Sequence, residues 1–431
     1  MSAHTFLKSA ALYSGSSSFS GIQKKMTTSD IEARIKAYVD ARLPDYQAAA
    51  RDIHARPETS NHEYFACGRL SELLVNEGFQ VDVDVAGHPT GFAAYFKSGK
   101  PGPVVCFLAE YDALAGLGHG CGHNLFGATS CLAGAALAQV IRETGGEVRV
   151  YGTPGEEGGE NGSAKGSFVR EGFLKDVDAA LCVHPSGDVN RPTSKTLACA
   201  PVDIEFRGRA SHAASAPEKG INALDAVIQV YNGINALRQH LPGDVRIHGI
   251  ITHGGDAPNI VPEYAAAKFY LRAATAPVLE DVWRKVDRIV EGAGLMTGAT
   301  GSMKPSQNRV ENTILTPKFD DVWCRRLESL GAVIDRTPRR AAGSSDVGNV
   351  SQVVPTIQPS IQISPTPVRG HSEEFKAAAC SAMGLASVGL GAKALALTAL
   401  DLILDPKLLA AIKADHAEHL KLQAEEAARA L

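Results

Sequence analysis

Cysteine, histidine and carboxylate residues fall close together in three short stretches of this chain. GHGCGHN (residues 118–124) sets Cys121 between His119 and His123 with only glycine for spacing. PGEEGG (154–159) carries adjacent carboxylates, Glu156 and Glu157, and VHPS (183–186) puts His184 at the end of an apolar run. Thiolate sulfur, imidazole nitrogen and carboxylate oxygen are the donors zinc prefers, and a catalytic zinc site keeps a position open for water. In a hydrolytic site one carboxylate of a pair can hold metal while its neighbour takes a proton from the activated water. Two other chemistries compete for the same residues. Cys121 could attack as a nucleophile with His119 or His123 as base, but nothing obvious in the sequence supplies an oriented third group. The glycines at 116, 118, 120 and 122 miss the GxGxxG spacing and no P-loop lysine follows, so a phosphate cradle also ranks below a metal site.

These residues must be carried to one place by the elements around them. VVCFLAEYDAL, VRVYGTPGEEGG and AALCVHPSG each begin as a short apolar run and break into a loop. The loops open with Glu110 and Asp112, with Glu156 and Glu157, and with His184. Helical stretches such as TSCLAGAALAQVIRE lie between the runs. Short buried strands alternating with helices predict a largely parallel sheet, and ligands collect at the carboxyl ends of such strands. Before them, a helix is expected from Asp30 behind a Ser–Asp cap, then a second helix ending at Gly78, then two strands. From residue 199 the texture changes to strand, helix, strand, strand, helix. This predicts an inserted α+β domain of residues 199–313. It interrupts a main domain made of residues 30–198 and 314–431, behind a tail of residues 1–29.

At 431 residues the chain has room for about two domains. A formal charge of −4 gives no nucleic-acid footprint, so no nucleic-acid partner is expected. No run of about 18 or more apolar residues suggests a membrane span. The eight cysteines are scattered, most in apolar contexts, which argues against a disulfide framework and for a reducing, cytoplasmic setting. The first 29 residues hold three lysines, many serines and no acid, a weak match to an organellar transit peptide that the lack of arginine weakens further.

Taken in order, EYDALAGLGHGCGHN, GTPGEE, VHPS, GRASHAA, HGGDAPNIVP and RGHSEEF resemble the dizinc aminoacylase and carboxypeptidase family, metallopeptidase family twenty, subfamily D. The likeness runs over roughly residues 30–420. It is strongest to the branch holding dipeptidases for basic residues and p-aminobenzoyl-glutamate hydrolases. The resemblance implies an α/β fold with a mostly parallel central sheet and flanking helices, plus an inserted ferredoxin-like lid and dimerisation domain. It also implies two divalent metal ions, zinc first, with manganese or cobalt as alternatives.

By motif, Cys121, His123, Glu157, His184 and His371 would be the metal ligands and Glu156 the general base. Asp112 would orient a ligand. His212 would be lent by the inserted domain, across a homodimer, to steady the oxyanion, and Asn259 and Arg272 would bind substrate. The implied substrate is a dipeptide or N-acyl amino acid whose amide is cleaved. Two positions depart from relatives: Asn124 stands where many have aspartate, and Glu110 where distant members have a histidine ligand. His119 has no assigned role, and His54 and His62 read as surface or helix-packing residues. The rivals are a catalytically silent peptide-binding relative and a cysteine-nucleophile hydrolase.

Overall fold

The computed structural model describes residues 27–430 apart from 340 and 342, so the expected tail lies almost wholly outside it. Helix α1 (Thr28–Ala55) begins two residues before the predicted start. Its N-cap is Thr27, whose side chain and that of Asp30 satisfy each other's backbone N–H groups in a capping box. α1 buries Ile31, Ile35, Val39, Tyr46 and Ile53 along one stripe. α2 (Tyr64–Asn76) leads into an antiparallel pair, β1 (Gln80–Val85) and β2 (His88–Lys97).

The parallel part of the sheet comes next: β3 (Val104–Ala109), α3 (His123–Thr144), β4 (Glu147–Gly152), α4 (Ala164–Arg170) and β5 (Ala179–Leu181). β6 (His184–Ser186) follows directly. After the small domain come α7 (Pro317–Ser329), α8 (Val347–Ser351), β11 (Thr356–Ile357) and β12 (Ser360–Gln362). The chain ends in α9 (Glu373–Ala378), α10 (Ala382–Leu404) and α11 (Pro406–Ala430).

The main sheet has the order β1-β2-β4-β3-β5-β11. β4, β3, β5 and β11 run parallel, while β2 joins β4 antiparallel, so the sheet is mixed at one edge. The predicted apolar runs are therefore the parallel strands, and their carboxyl ends face one side. α3 and α10 are apolar and long enough to cross a membrane by composition, yet 94% and 78% of those windows are buried inside the protein. They pack on each other and on α1, and α3 lies against the sheet strands β3 and β4. Burying apolar surface on every side is what a core helix requires.

Between β6 and α7 lies the second sheet, built from β7 (Ala198–Arg207), α5 (Ala223–Leu237), β8 (Arg246–His253), β9 (Tyr264–Ala273), α6 (Ala276–Thr297) and β10 (Thr300–Pro305). Its strands run antiparallel in the order β10-β7-β9-β8, and β10 is a strand the sequence reading missed. Val202, Ile204 and Phe206 alternate inward on β7 and join Phe269, Leu271, Val282 and Val286 in a core separate from that of the main sheet. The outer edge, β8, leaves Ile250 and Ile251 64% and 44% exposed.

Candidate active site

The carboxyl ends of β3, β4 and β5 deliver the acidic and histidine residues to one cavity. Beyond β3 the chain passes Glu110 and Asp112, turns through the glycine-rich stretch and enters α3 at His123. Gly122 caps that helix at φ 80°, and a Cβ there would meet the Pro185 side chain at 3.0 Å. Glycine is needed to turn Cys121 and His123 toward the same space. Beyond β4 the loop carrying Glu156 and Glu157 is held by buried Glu63, which accepts from Gly155 N at 2.9 Å and from Thr90 Oγ1 at 2.7 Å.

Asp112 ties two of these loops. One oxygen accepts from His123 Nδ1 at 2.8 Å and the other from Glu157 N at 2.9 Å. A carboxylate only accepts when ionised, so Nδ1 of His123 carries the proton and Nε2 presents its lone pair toward Cys121, Glu110 and Glu156. His184 is set the same way: Nδ1 donates to the Pro185 carbonyl at 2.7 Å, and Nε2 lies 3.4 Å from Cys121 Sγ. His371 sits at φ 59°, a left-handed conformation that its backbone N–H helps hold by donating to Gly120 O at 2.9 Å. Its Nε2 reaches within 3.3 Å of Glu157 Oε1.

Three groups of donor atoms, each mutually within 4.8 Å, result: Cys121 with His123 and His184; Cys121 with Glu157 and His371; and Glu110 with His123 and Glu156. His123 Nε2 and Glu157 Oε1 are buried and make no hydrogen bond. A buried lone pair without a donor is costly, and a cation is the natural remedy. The mixed sulfur, nitrogen and oxygen donors therefore fit a zinc-type ion.

The two adjacent glutamates are driven apart. Burial, then the charges of Glu110 and Glu157, raise the Glu156 carboxyl well above the usual range. Burial opposes ionisation of Glu157 too, but the close His371 and His123 imidazoles outweigh it and hold that carboxyl down at about 2. Neighbouring carboxylates with opposite shifts are suited to different tasks, one to trade protons and one to stay charged.

The cavity measures about 580 Å³. Cys121, Glu156, Glu157, His184 and His371 line it together with His248, Tyr270, Arg272, Gln307 and Ser344. Arg272 donates to Ser344 Oγ at 2.9 Å and has no carboxylate partner among the described residues. His212 and Asn259 do not line this cavity. They sit together on the exposed surface of the small domain, where His212 bridges Ile260 and Ala213 N donates to the Asn259 carbonyl at 3.0 Å. His212 Nδ1 accepts from the backbone of Ala214 and Ser215 at 3.2 Å each, which leaves Nε2 to face outward.

Some residues gain meanings their sequence context did not reveal. Asn124 is buried and its amide donates to the carbonyls of Ala50 and Ala379, at 3.2 and 3.0 Å, which aspartate could not do. His119 is buried with neither ring nitrogen partnered, and burial pushes its pKa down to about 3. His54 bonds the Lys376 carbonyl at 2.9 Å. Glu63, Lys165 and Asp346 are fully buried ionisable residues that sequence reasoning passed over. The only signal was a lone lysine in a Ser-Ala-Gly stretch beside the EE loop.

A parallel-sheet domain that gathers such donors at its strand ends, carrying a second α+β domain, defines a metal-dependent amidohydrolase. The comparisons agree. Residues 199–295 match the peptidase dimerisation domain of the M20 family. The chain is 33% identical to mouse Xaa-Arg dipeptidase over 92% of its own length and 94% of that protein. It is 39% identical to one of the p-aminobenzoyl-glutamate hydrolase polypeptides of Escherichia coli K12, over 61% of this chain and 58% of that one. A dinuclear metal-binding M20 peptidase from Bacillus subtilis shares the fold, with a TM-score of 0.56 at 20% identity over 85% of this chain and 99% of that one. An aminobenzoyl-glutamate utilization protein from Klebsiella pneumoniae does too, at 0.64 and 21% over 83% and 98%. The chain belongs to the M20 metallopeptidase family, and it is a hydrolase.

Proposed function

We propose that this enzyme hydrolyses the amide bond of a dipeptide or N-acyl amino acid with two divalent ions, zinc in the first instance, at the cavity between its two domains. The carrying observation is that two ligand groups share Cys121 while Glu156 stands beside them. Cys121, His123, Glu157, His184 and His371 would hold the ions, with Asp112 fixing the His123 tautomer. Bound there, the ions would polarise the amide carbonyl and make water acidic enough to attack. Glu156 takes the proton of the attacking water and passes it to the leaving amine. A complete donor set with the Glu156 carboxylate beside it argues against a silent relative. Cys121, drawn into both ligand groups, argues against a cysteine nucleophile.

His212 and Asn259 would serve the site of a second protomer. The dimerisation-domain match supports a homodimer, and exposed β8, with Ile250 and Ile251, offers an unpaired strand edge for it. The sparse cysteines favour a cytoplasmic setting.

The relatives' names offer two substrate types, Xaa-Arg dipeptides and p-aminobenzoyl-glutamate. The first fits the relative matched along almost its full length. The second is favoured by the cavity wall, which among the described residues carries Arg272 and no acid besides Glu156 and Glu157. Chelation followed by zinc, manganese or cobalt, assayed on acyl-Arg, acyl-Ala and acyl-Glu substrates with one common acyl group, tests both statements. Activity indifferent to chelator would defeat the metal reading, and the preferred leaving residue would choose between the substrates.

A further inference from the structure

A buried lysine stands behind the metal cluster. Lys165, near the start of α4, has no exposure, and its Nζ lies 2.7 Å from Glu110 Oε1 and 2.6 Å from Asp346 Oδ1. Its backbone N–H also donates to Asp346 Oδ2 at 3.1 Å. Both acids are fully buried as well. An ammonium buried between two carboxylates is costly to desolvate, and such groups persist where geometry and extra hydrogen bonds compensate.

The position of Glu110 suggests what the lysine does there. Its second oxygen, Oε2, is 3.3 Å from His123 Nε2, the nitrogen that Asp112 leaves free as a ligand. His123 Nε2 is in turn 4.0 Å from Glu156 Oε2. Glu110, His123 and Glu156 thus form a third set of donor atoms with ligand spacing. An ion seated there would take the proton-transferring carboxylate as a ligand. It would also draw His123 away from the group it forms with Cys121 and His184.

We propose that Lys165 is a positioning residue that holds Glu110 out of the metal shell, and so keeps the ions in the two Cys121 groups and Glu156 free to move protons. The proposal rests on the metal-centre reading above. The fixed cation pairs with Glu110 through Oε1 and adds local positive charge that disfavours a divalent ion at the third set. Its grip on Asp346 also anchors the segment bearing Ser344, the partner of Arg272.

The test uses the cobalt-loaded enzyme, because a thiolate ligand to cobalt gives a charge-transfer band that oxygen ligands do not. Wild type should show the band, and its absence would sink the metal-centre reading itself. Lys165→Met should still bind cobalt but with a weakened thiolate band, and should lose about 10²-fold in kcat, the scale of a lost general base. The double variant Lys165→Met/Glu110→Gln should restore the band and recover roughly tenfold or more of the activity, since the coupled pair is not additive. A wild-type-like band in Lys165→Met, or no recovery in the double variant, would overturn the proposal while leaving the metal centre intact. If Lys165→Met does not fold, Glu110→Gln alone decides. It should keep wild-type cobalt stoichiometry and thiolate band, and loss of an ion would show Glu110 to be a ligand.

Discussion

The two halves of the proposed machinery are built in opposite ways. Around the candidate metal ligands the loops are pinned by hydrogen bonds: Asp112 to His123 and Glu157, Glu63 to Gly155, His371 N–H to Gly120. His212 and Asn259 sit on an exposed loop of the small domain and bond mainly to the backbone around them. The first half is organised within one chain before any substrate arrives. In the proposed mechanism the second is finished only when something brings it to a cavity it does not line. The contrast separates a preorganised electrostatic site from a group delivered by association or domain closure.

The largest effect should come from the buried half. Glu156→Gln keeps the shape and the neighbouring ligands but cannot accept a proton, so kcat should fall by about 10²–10⁴-fold with metal content unchanged. Rates near wild type in a metal-replete variant would remove Glu156 as the base. The exposed half comes next. His212→Ala should cost about 10²–10³-fold, the usual scale for an oxyanion donor. Delivery in trans adds a sharper expectation. Hybrids made by refolding Glu156→Gln and His212→Ala chains together should regain activity, because one of the two sites then has both residues. Hybrids as inactive as their parents would place His212 in its own chain's site and dissolve the contrast.

How far each half could be read from the sequence follows the same division. The strand ends were legible because apolar runs broke at Glu110 and Asp112, at Glu156 and Glu157, and at His184, and the sheet order then had to gather them. The inserted domain showed itself through the change from buried parallel strands to an alternating pattern such as VDIEFR. What could not be read depends on tertiary convergence. A lone lysine such as Lys165 looks solvated, and only the meeting of β3, α4 and the loop before α8 encloses it between Glu110 and Asp346. Asn124 likewise resembles a lost ligand neighbour until α1 and the α9 C-terminus supply carbonyls for its amide. The start of α1 moved to Thr28 because Thr27 and Asp30 close a capping box that the Ser–Asp pair only suggested.

A smaller effect probes how the buried half is oriented. Asp112→Asn replaces the acceptor that fixes the His123 tautomer and meets the Glu157 N–H. Metal affinity, read by competition with a chelator, should fall by about 10–100-fold. Unchanged affinity would mean that His123 is held by α3 packing alone. The same substitution should leave dimerisation untouched, since Asp112 is buried inside the main domain.

The smallest effect concerns what the buried half costs in stability. Burial, then the charge of Asp112, push Glu63 up to about 8, against about 4.3 in an unfolded chain. Between these values the unfolded state releases a proton that the folded state keeps. The native state therefore binds more protons, and its stability should decline as pH rises through that window. The limiting slope for one such group is about 1.4 kcal/mol per pH unit. Glu63→Gln keeps an oxygen for the Gly155 N–H and an amide that the Thr90 hydroxyl can accept from, yet does not titrate. Its stability measured by urea unfolding from pH 5 to 8 should therefore fall less steeply than that of wild type, while kcat changes little. Parallel slopes would mean that Glu63 is ionised in the native protein, and that the loop bearing Glu156 and Glu157 is held by a charged anchor instead of a neutral one.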